Sequence, residues 1–396
     1  MKSIKISIVH LMLCLYFFIL FFIPYYTTYS NSYSEAFILS SFVLMICNIL
    51  LFKYKKKEVI FNSKKKEVFF KISLILFASF FCVSNLTLKC WYSMINQINA
   101  FIFLYLFATR ICNYKKDLDK IMNRVIIIFF ISIIISIIFR IIGGDAIKFY
   151  NHNMYVRYQG SFSDKRLTYI FNHKSEYGLI LLVFFMYVLY YFKSRYRKVI
   201  LIGIILTLVL TNSMISIGCA TIILVTYIYA QYWQRCNKYI KIALTIFSGL
   251  AICSIVIIVI LLISNVRDLS TLGSRSVIWK YAFNYLIENS KGIGTNFQNI
   301  TFDVGLDFYV NNFHNVFLNE MLQFSNIVGI LYSILIISIV IFSIFNYNNK
   351  IVSFINTGVV ILPLLFDNSL WTSTLPIYIV IIYMFGYQSR RSKEIS

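Results

Sequence analysis

The sequence predicts an all-α, polytopic membrane protein of about 12 transmembrane helices, forming one integral membrane domain over 1–396 with two long outward-facing loops. Three observations carry that prediction. Apolar residues make up 59% of the 396 and charged residues only 13%, whereas soluble domains run near roughly 45–50% and about 25%. Apolar runs of membrane-spanning length recur along the whole chain. The basic residues fall into alternate connections between those runs, the pattern that orients helices in a bilayer.

In chain order the runs lie near 7–24, 34–52, 68–84, 92–111, 125–142, 175–192, 199–211, 213–232, 242–264, 325–345, 351–366 and 374–388. The seventh and eighth are counted as a hairpin. As one straight helix, 199–232 would reach ~51 Å at about 1.5 Å per residue, far beyond a hydrocarbon core of ~30 Å. Thr211-Asn212-Ser213 is the break. Because 199–211 is short for a full crossing, the tip is expected below the membrane surface. Non-helical backbone is tolerated at that depth only inside protein or beside a wet cavity. The first run has a long apolar core, and Phe21-Phe22-Ile23-Pro24-Tyr25-Tyr26 lacks a small-residue cleavage site. It is expected to be a retained helix and not a signal peptide.

The formal charge of +22 comes from 37 Lys and Arg against 15 Asp and Glu. A surplus of that size can mark a nucleic-acid partner, but its distribution gives another origin. With the N-terminus inside, 26 of the 37 cations and five of the 15 acids lie on the cytoplasmic side. The outer side keeps 11 cations and ten acids, so the net charge is about +21 inside and +1 outside. Both termini are then cytoplasmic, and no nucleic-acid partner is expected. The eight Cys form no CxxC pair and suit small packing residues.

The two long loops, about 143–174 and 265–324, both fall outside. Connections of that length usually carry function or disorder, and their aromatics, Gly turns and balanced charge argue against disorder. They hold His152, His173 and His314, while the fourth histidine, His10, sits in an apolar run as a structural residue. In the second loop Val277, Ile278, Tyr281, Ala282, Tyr285 and Leu286 repeat at helical spacing, which predicts an amphipathic helix lying at the interface. Gly273-Ser274 opens it and Lys291-Gly292 closes it. Arg275 therefore sits in its first turn, where a cation opposes the helix dipole and needs a compensating partner. A bound phosphate would supply one; an Arg reaching for lipid headgroups is the plainer reading.

His314 and Asn315 begin a further apolar-periodic stretch, Val316, Phe317, Leu318, Met321 and Leu322. An imidazole there can act as a general base toward a sugar hydroxyl, or serve as a capping or interfacial residue. The first loop sets Arg157, Arg166, His173, Lys174 and Glu176 among Tyr155, Tyr158, Phe162, Tyr169 and Phe171. Cations beside rings suit an anionic glycolipid, and equally an aromatic belt. Gly292-Ile293-Gly294 follows no strand and is no nucleotide motif. Asp303 and Asp307 lack convincing metal-ligand spacing. No metal and no cofactor is expected.

Several of these stretches, in order, resemble the O-antigen polymerase and O-antigen ligase superfamily. Gly273-Ser274-Arg275-Ser276-Val277-Ile278-Trp279 looks like its Gly-Arg…Ile-Trp element. Gly292-Ile293-Gly294, then His314-Asn315-Val316-Phe317-Leu318 and Gly329, continue the pattern. Upstream, Asn172-His173-Lys174-Ser175-Glu176-Tyr177-Gly178 is similar to the family's His-Lys-Asn…Gly stretch. The ordered match covers about 157–345. One departure stands out: relatives often carry Thr-x-Ser-Arg at the hairpin tip, whereas Thr211-Asn212-Ser213 is followed here by Met214.

The resemblance implies a C-type glycosyltransferase fold and an inverting, metal-independent reaction on the outer face of the bacterial cytoplasmic membrane. Such enzymes move a glycan from undecaprenyl pyrophosphate to a hydroxyl, and a polymerase joins lipid-linked repeat units into O-antigen or capsule. It implies catalytic roles for Arg275, on the pyrophosphate, and His314, on the attacking hydroxyl. Ser213 at the tip and Asn315 would contact substrate. Arg157, Arg166, His173 and Lys174 would join them, and Arg157, Arg166 or Lys174 would replace the cation lost at Met214. Membrane lipids, a chain-length regulator and a flippase are the implied partners. A ligase acting on a lipid A core uses the same parts, and the missing tip Arg favours polymerase. A lipid-linked oligosaccharide flippase is the other class, but transporters favour repeats and Gly/Pro-broken helices, and this chain has only 14 Gly and three Pro.

Overall fold

Helices dominate because long Ile-, Leu- and Phe-rich runs leave no polar partner outside the segment, so each backbone must satisfy its own N–H and C=O groups. The structure is a computed structural model that describes residues 2–23, 35–52, 64–88, 91–110, 115–142, 148–149, 152–153, 155–157, 165–171, 174–233, 235–264, 274–294, 300–305, 309–310, 312–344 and 350–366. The first half of the chain contributes α1 (Lys2–Phe22), α2 (Glu35–Phe52), α3 (Lys64–Leu88), α4 (Trp91–Arg110) and α5 (Lys115–Ile142). Then come α6 (Lys174–Tyr190), α7 (Arg197–Thr211), α8 (Met214–Trp233), α9 (Lys238–Ser264), α10 (Arg275–Glu288), α11 (Val316–Phe324), α12 (Asn326–Ile344) and α13 (Lys350–Phe366). Eleven of the twelve expected spans coincide with one of these helices, and the twelfth, 374–388, lies outside the described residues. Four helical segments are long and apolar enough to cross a membrane: Asp119–Ile141, Met214–Trp233, Lys238–Ile258 and Asn326–Ile344. Shorter apolar segments lie in α1, α2, α3 and α13.

The break at the hairpin tip is real and local. Asn212 ends α7 in the left-handed conformation (φ 50°) with its N–H donated to the Val209 carbonyl, and α8 restarts two residues later. Asn is among the few residues that tolerate this backbone. The tip is covered by α6, whose Gly178 lies so close that a Cβ would sit 2.8 Å from Ser216 Oγ and 3.0 Å from Ser213 Cβ.

Ring pairs fix how the helices run. Phe69 faces Phe342 and Phe77 faces Tyr332, so α3 and α12 are antiparallel, and Phe81 further along α3 faces Phe324 of α11. Tyr190 of α6, Thr226 of α8 and Asn356 of α13 meet in one buried hydrogen-bonded set: Asn356 accepts from Thr226 at 3.0 Å and donates to the Tyr190 hydroxyl at 3.2 Å. Phe21 of α1, Phe129 of α5 and Phe184 of α6 stack nearby in the main core. Large apolar side chains also point outward, among them Ile202 and Val209 of α7 and Phe247 and Leu250 of α9. An exposed belt of that kind suits hydrocarbon far better than water.

The two long loops carry structure that sequence periodicity did not reveal. The first forms two antiparallel hairpins, β1 (Lys148–Phe149) with β2 (His152–Asn153) and β3 (Tyr155–Arg157) with β4 (Lys165–Leu167). The second pairs β5 (Phe302–Asp303) with β6 (Tyr309–Val310). These strands, with α10 and α11, enclose a second small core of Ile278, Ala282, Leu286, Phe302, Val304, Val310, Phe313, Leu318 and Leu322. The expected interfacial helix is thus one wall of a packed cap. Val277, expected on its buried stripe, is instead exposed.

Candidate functional site

The residues singled out from sequence gather in two groups. The first forms where the cap meets the end of α13. Arg275 Nε donates to the Phe366 carbonyl at 2.7 Å, and Asn315 Nδ2 donates to the neighbouring Leu365 carbonyl at 3.1 Å. Trp279, one turn after Arg275, lays its ring 5.6 Å from that of Phe366 and donates Nε1 to the Phe313 carbonyl at 3.0 Å. Residues from α10 and α11 therefore close on consecutive carbonyls of one helix end. A helix C-terminus carries partial negative charge and leaves carbonyls unpaired. The compensation that a first-turn Arg requires is accordingly supplied by the protein itself.

His314 directly precedes Asn315. Its backbone is left-handed (φ 48°) and its N–H donates to Asn312 Oδ1 at 2.9 Å. The helix cap is the next residue: Asn315 Oδ1 accepts from the N–H groups of Phe317 at 2.9 Å and Leu318 at 3.1 Å. An N-cap amide satisfies donors that a helix start leaves orphaned. Asn319 Oδ1 accepts from Phe313 N–H at 2.9 Å, which ties the chain before His314 back onto α11. His314 is half-buried, with its position set from both sides.

The second group surrounds the hairpin tip. Lys174, the first residue of α6, donates Nζ to the Asn212 carbonyl at 3.1 Å. Ser213 lies beside it, its N–H 3.3 Å from Thr211 Oγ1 and its hydroxyl 3.0 Å from that of Ser216. Arg157 and Arg166 lie on the β3–β4 hairpin, where Arg157 pairs in register with Lys165 and Val156 with Arg166. Strand β4 leads into Tyr169, also left-handed (φ 53°), whose hydroxyl donates to the Phe21 carbonyl at 3.0 Å. Glu176 is fully buried. His173 lies outside the described residues.

Gly292-Ile293-Gly294 proves to be a strap across the far end of α11. The N–H groups of Ile293 and Gly294 donate to the carbonyls of Leu322 and Gln323, both at 2.9 Å. Gly292 has φ 77°, and a Cβ there would stand 2.6 Å from the Phe324 carbonyl carbon. Gly329 lets α12 cross α11 backbone to backbone, since a Cβ would lie 2.7 Å from Met321 Cα. Both glycines are explained by close approach.

Sequence periodicity missed the polar side of α11. Asn319, Glu320 and Gln323, which the spacing of Leu318 and Leu322 does not single out, are 5, 3 and 4% exposed. Burial raises the Glu320 carboxyl to about 8. The available signal was an acid near Leu318, Met321 and Leu322 in a short helix. Among the described residues no three His, Cys, Asp or Glu side chains gather where a metal ion could be held.

No protein-family profile matches the chain, and no curated protein matches its sequence. Fold and composition define the class: an all-α membrane protein, with small loop-borne caps where its candidate residues gather.

Proposed function

We propose that this chain is a bacterial surface-polysaccharide polymerase. It would join undecaprenyl-pyrophosphate-linked repeat units on the outer face of the cytoplasmic membrane, by inverting, metal-independent glycosyl transfer. The observation that carries the proposal is the closure of Arg275 and Asn315 on consecutive carbonyls at the end of α13, with His314 the residue next to Asn315. Two of the pieces that resemble the O-antigen superfamily, 273–279 and 314–318, are about 40 residues apart in sequence and meet at one helix end.

In this reading a hydroxyl of the incoming lipid-linked unit attacks the anomeric carbon of the growing chain. The C–O bond to undecaprenyl pyrophosphate breaks, and the pyrophosphate departs with the bonding pair. His314 takes the hydroxyl proton as the new glycosidic bond forms. Arg275 neutralises the charge that builds on the pyrophosphate. A guanidinium has five N–H donors in a fixed fork, so the bond from Nε to Phe366 anchors and orients that fork. Lys174 at the tip supplies a second fixed cation where relatives place an Arg.

His314→Asn and Arg275→Ala test the assignment. Asn also accepts a left-handed backbone, so His314→Asn removes the base and spares the turn. Membranes of either variant, at normal protein level, are expected to accumulate single lipid-linked repeats, with a loss of about 10²-fold or more in polymer. Long polysaccharide persisting in both would overturn the site. Purified wild-type protein given lipid-linked repeats in detergent should yield products longer than one unit, which a flippase cannot do.

A further inference from the structure

Helix α11 buries its polar side. At about 100° per residue, Asn315, Asn319, Gln323 and Glu320 lie on an arc of about 140° that also holds Val316 at its first turn, and each of the four is at most 8% exposed. The rest of the helix faces two apolar cores, Phe317 and Phe324 toward the main bundle and Leu318 and Leu322 toward the cap. The edges of the polar arc can be placed. Asn315 binds the end of α13 through the Leu365 carbonyl. At the other edge Phe324, next to Glu320 on the wheel, packs on Phe81 of α3, and Ser84 donates to its carbonyl. The arc therefore looks into the bundle between the ends of α13 and α3.

Glu320 Oε2 is fully enclosed and has no hydrogen-bond partner among the described residues. Burial pushes its carboxyl up to about 8, which favours the neutral form. An enclosed oxygen without a partner costs stability, and a buried titratable group of this kind is a candidate functional site. Two amides and a neutral acid offer donors and acceptors without net charge. A lipid chain would leave Glu320 Oε2 unsatisfied, and a cation would favour ionised Glu320. A neutral polyhydroxylated molecule matches them.

We propose that Asn319, Glu320 and Gln323 form a sugar-binding subsite beside the Arg275–His314 junction, with Glu320 acting as a neutral hydrogen-bond donor to a hydroxyl of the lipid-linked repeat unit. This rests on the polymerase reading for the identity of the ligand. The subsite holds the sugar by its hydroxyls and takes no part in the proton transfer assigned to His314.

The probe is lipid-linked oligosaccharide extracted from cells lacking this gene, titrated onto the purified full-length protein and followed by thermal shift at pH 7. Glu320→Gln keeps a donor of the same shape and is expected to bind within about threefold of wild type. Glu320→Leu is expected to bind about tenfold more weakly, the equivalent of about 1.4 kcal/mol, while melting no lower without ligand. Gln323→Met reads the same arc if Glu320→Leu does not fold, and should also weaken binding several-fold. Wild-type affinity in Glu320→Leu, or in Gln323→Met where that variant stands in for it, overturns the subsite. Equal weakening of Glu320→Gln and Glu320→Leu overturns the neutral-donor role. Wild-type protein that binds the probe and loses it in Glu320→Leu, yet makes no polymer, sustains the subsite and removes the polymerase reading. Wild-type protein that binds nothing removes both.

Discussion

His314, Ser274, Asn212 and Tyr169 are the described non-glycine residues with φ between 48° and 71°. Each adjoins or belongs to a candidate group: Ser274 precedes Arg275, Asn212 receives Lys174, and Tyr169 follows the strand that carries Arg166. Such backbones cost on the order of 1 kcal/mol or more each, and they persist where surrounding structure over-determines them, commonly at functional sites. Glu320 holds strain of another kind. Its carboxyl is raised from 4.5 to about 8 by burial, so the folded state retains a proton that the unfolded state releases. Stability is fully present below about pH 4.5, falls as pH rises between the two values, and is lost in full above about 8. Glu320→Gln removes that dependence. Its melting temperature should match wild type near pH 4 and exceed it by a growing margin up to pH 8.5, with a ceiling of about 5 kcal/mol. A margin that stays constant with pH would show that Glu320 is ionised in the fold.

Among elements, the α11–α12 crossing depends on backbone proximity at Gly329. A Cβ there would meet Met321 Cγ at 2.3 Å and Met321 N at 2.7 Å, and backbone cannot step aside as a flexible side chain can. Gly329→Ala should destabilise the protein by about 1–3 kcal/mol, the usual range for overpacking, measured by thermal unfolding in detergent. Gly358 of α13 has nothing within 4 Å of a built Cβ, so Gly358→Ala should be neutral or slightly stabilising. Equal effects at both positions would mean the crossing is not tight. The helices themselves were legible, because a run of Ile, Leu and Phe of membrane length has few alternatives, and the break at Asn212 was marked by Thr-Asn-Ser. The starts of α10 and α11 were legible from spacing. The β hairpins were not: strands of two or three residues leave no alternation to detect. The burial of Asn319, Glu320 and Gln323 was hidden because a polar stripe on an amphipathic helix is ordinarily the wet side. Arg275 was recognised as a cation in need of a partner. That partner, the Phe366 carbonyl 91 residues away, has no local signature.

For the whole molecule, the bundle has one end that gathers the sites. The hairpin tip at Asn212, the start of α6, the end of α13 and the cap of α10 and α11 belong to segments that the proposed topology would put on the outer side. The opposite ends of α6, α7, α8 and α9 carry Lys193, Arg195, Arg197, Lys198, Arg235, Lys238 and Lys241. Arg197 donates to the carbonyls of Val188 and Leu189 and to the Tyr227 hydroxyl at 2.8 Å, a cation seated on the end of α6. Cations resist translocation, so this end should stay in the cytoplasm, and a lipid-linked donor exported to the outer leaflet would meet Arg275 and His314 on the far side. Alkaline phosphatase fused after residue 303 should then be active, and fusions after residue 195 or 236 should be inactive. Reversing Lys193, Arg195, Arg197 and Lys198 to Glu should weaken that contrast by drawing the α6–α7 connection outward. Active fusions at 195 in the wild-type chain would place the candidate sites on the cytoplasmic face, where an exported lipid-linked donor cannot reach them.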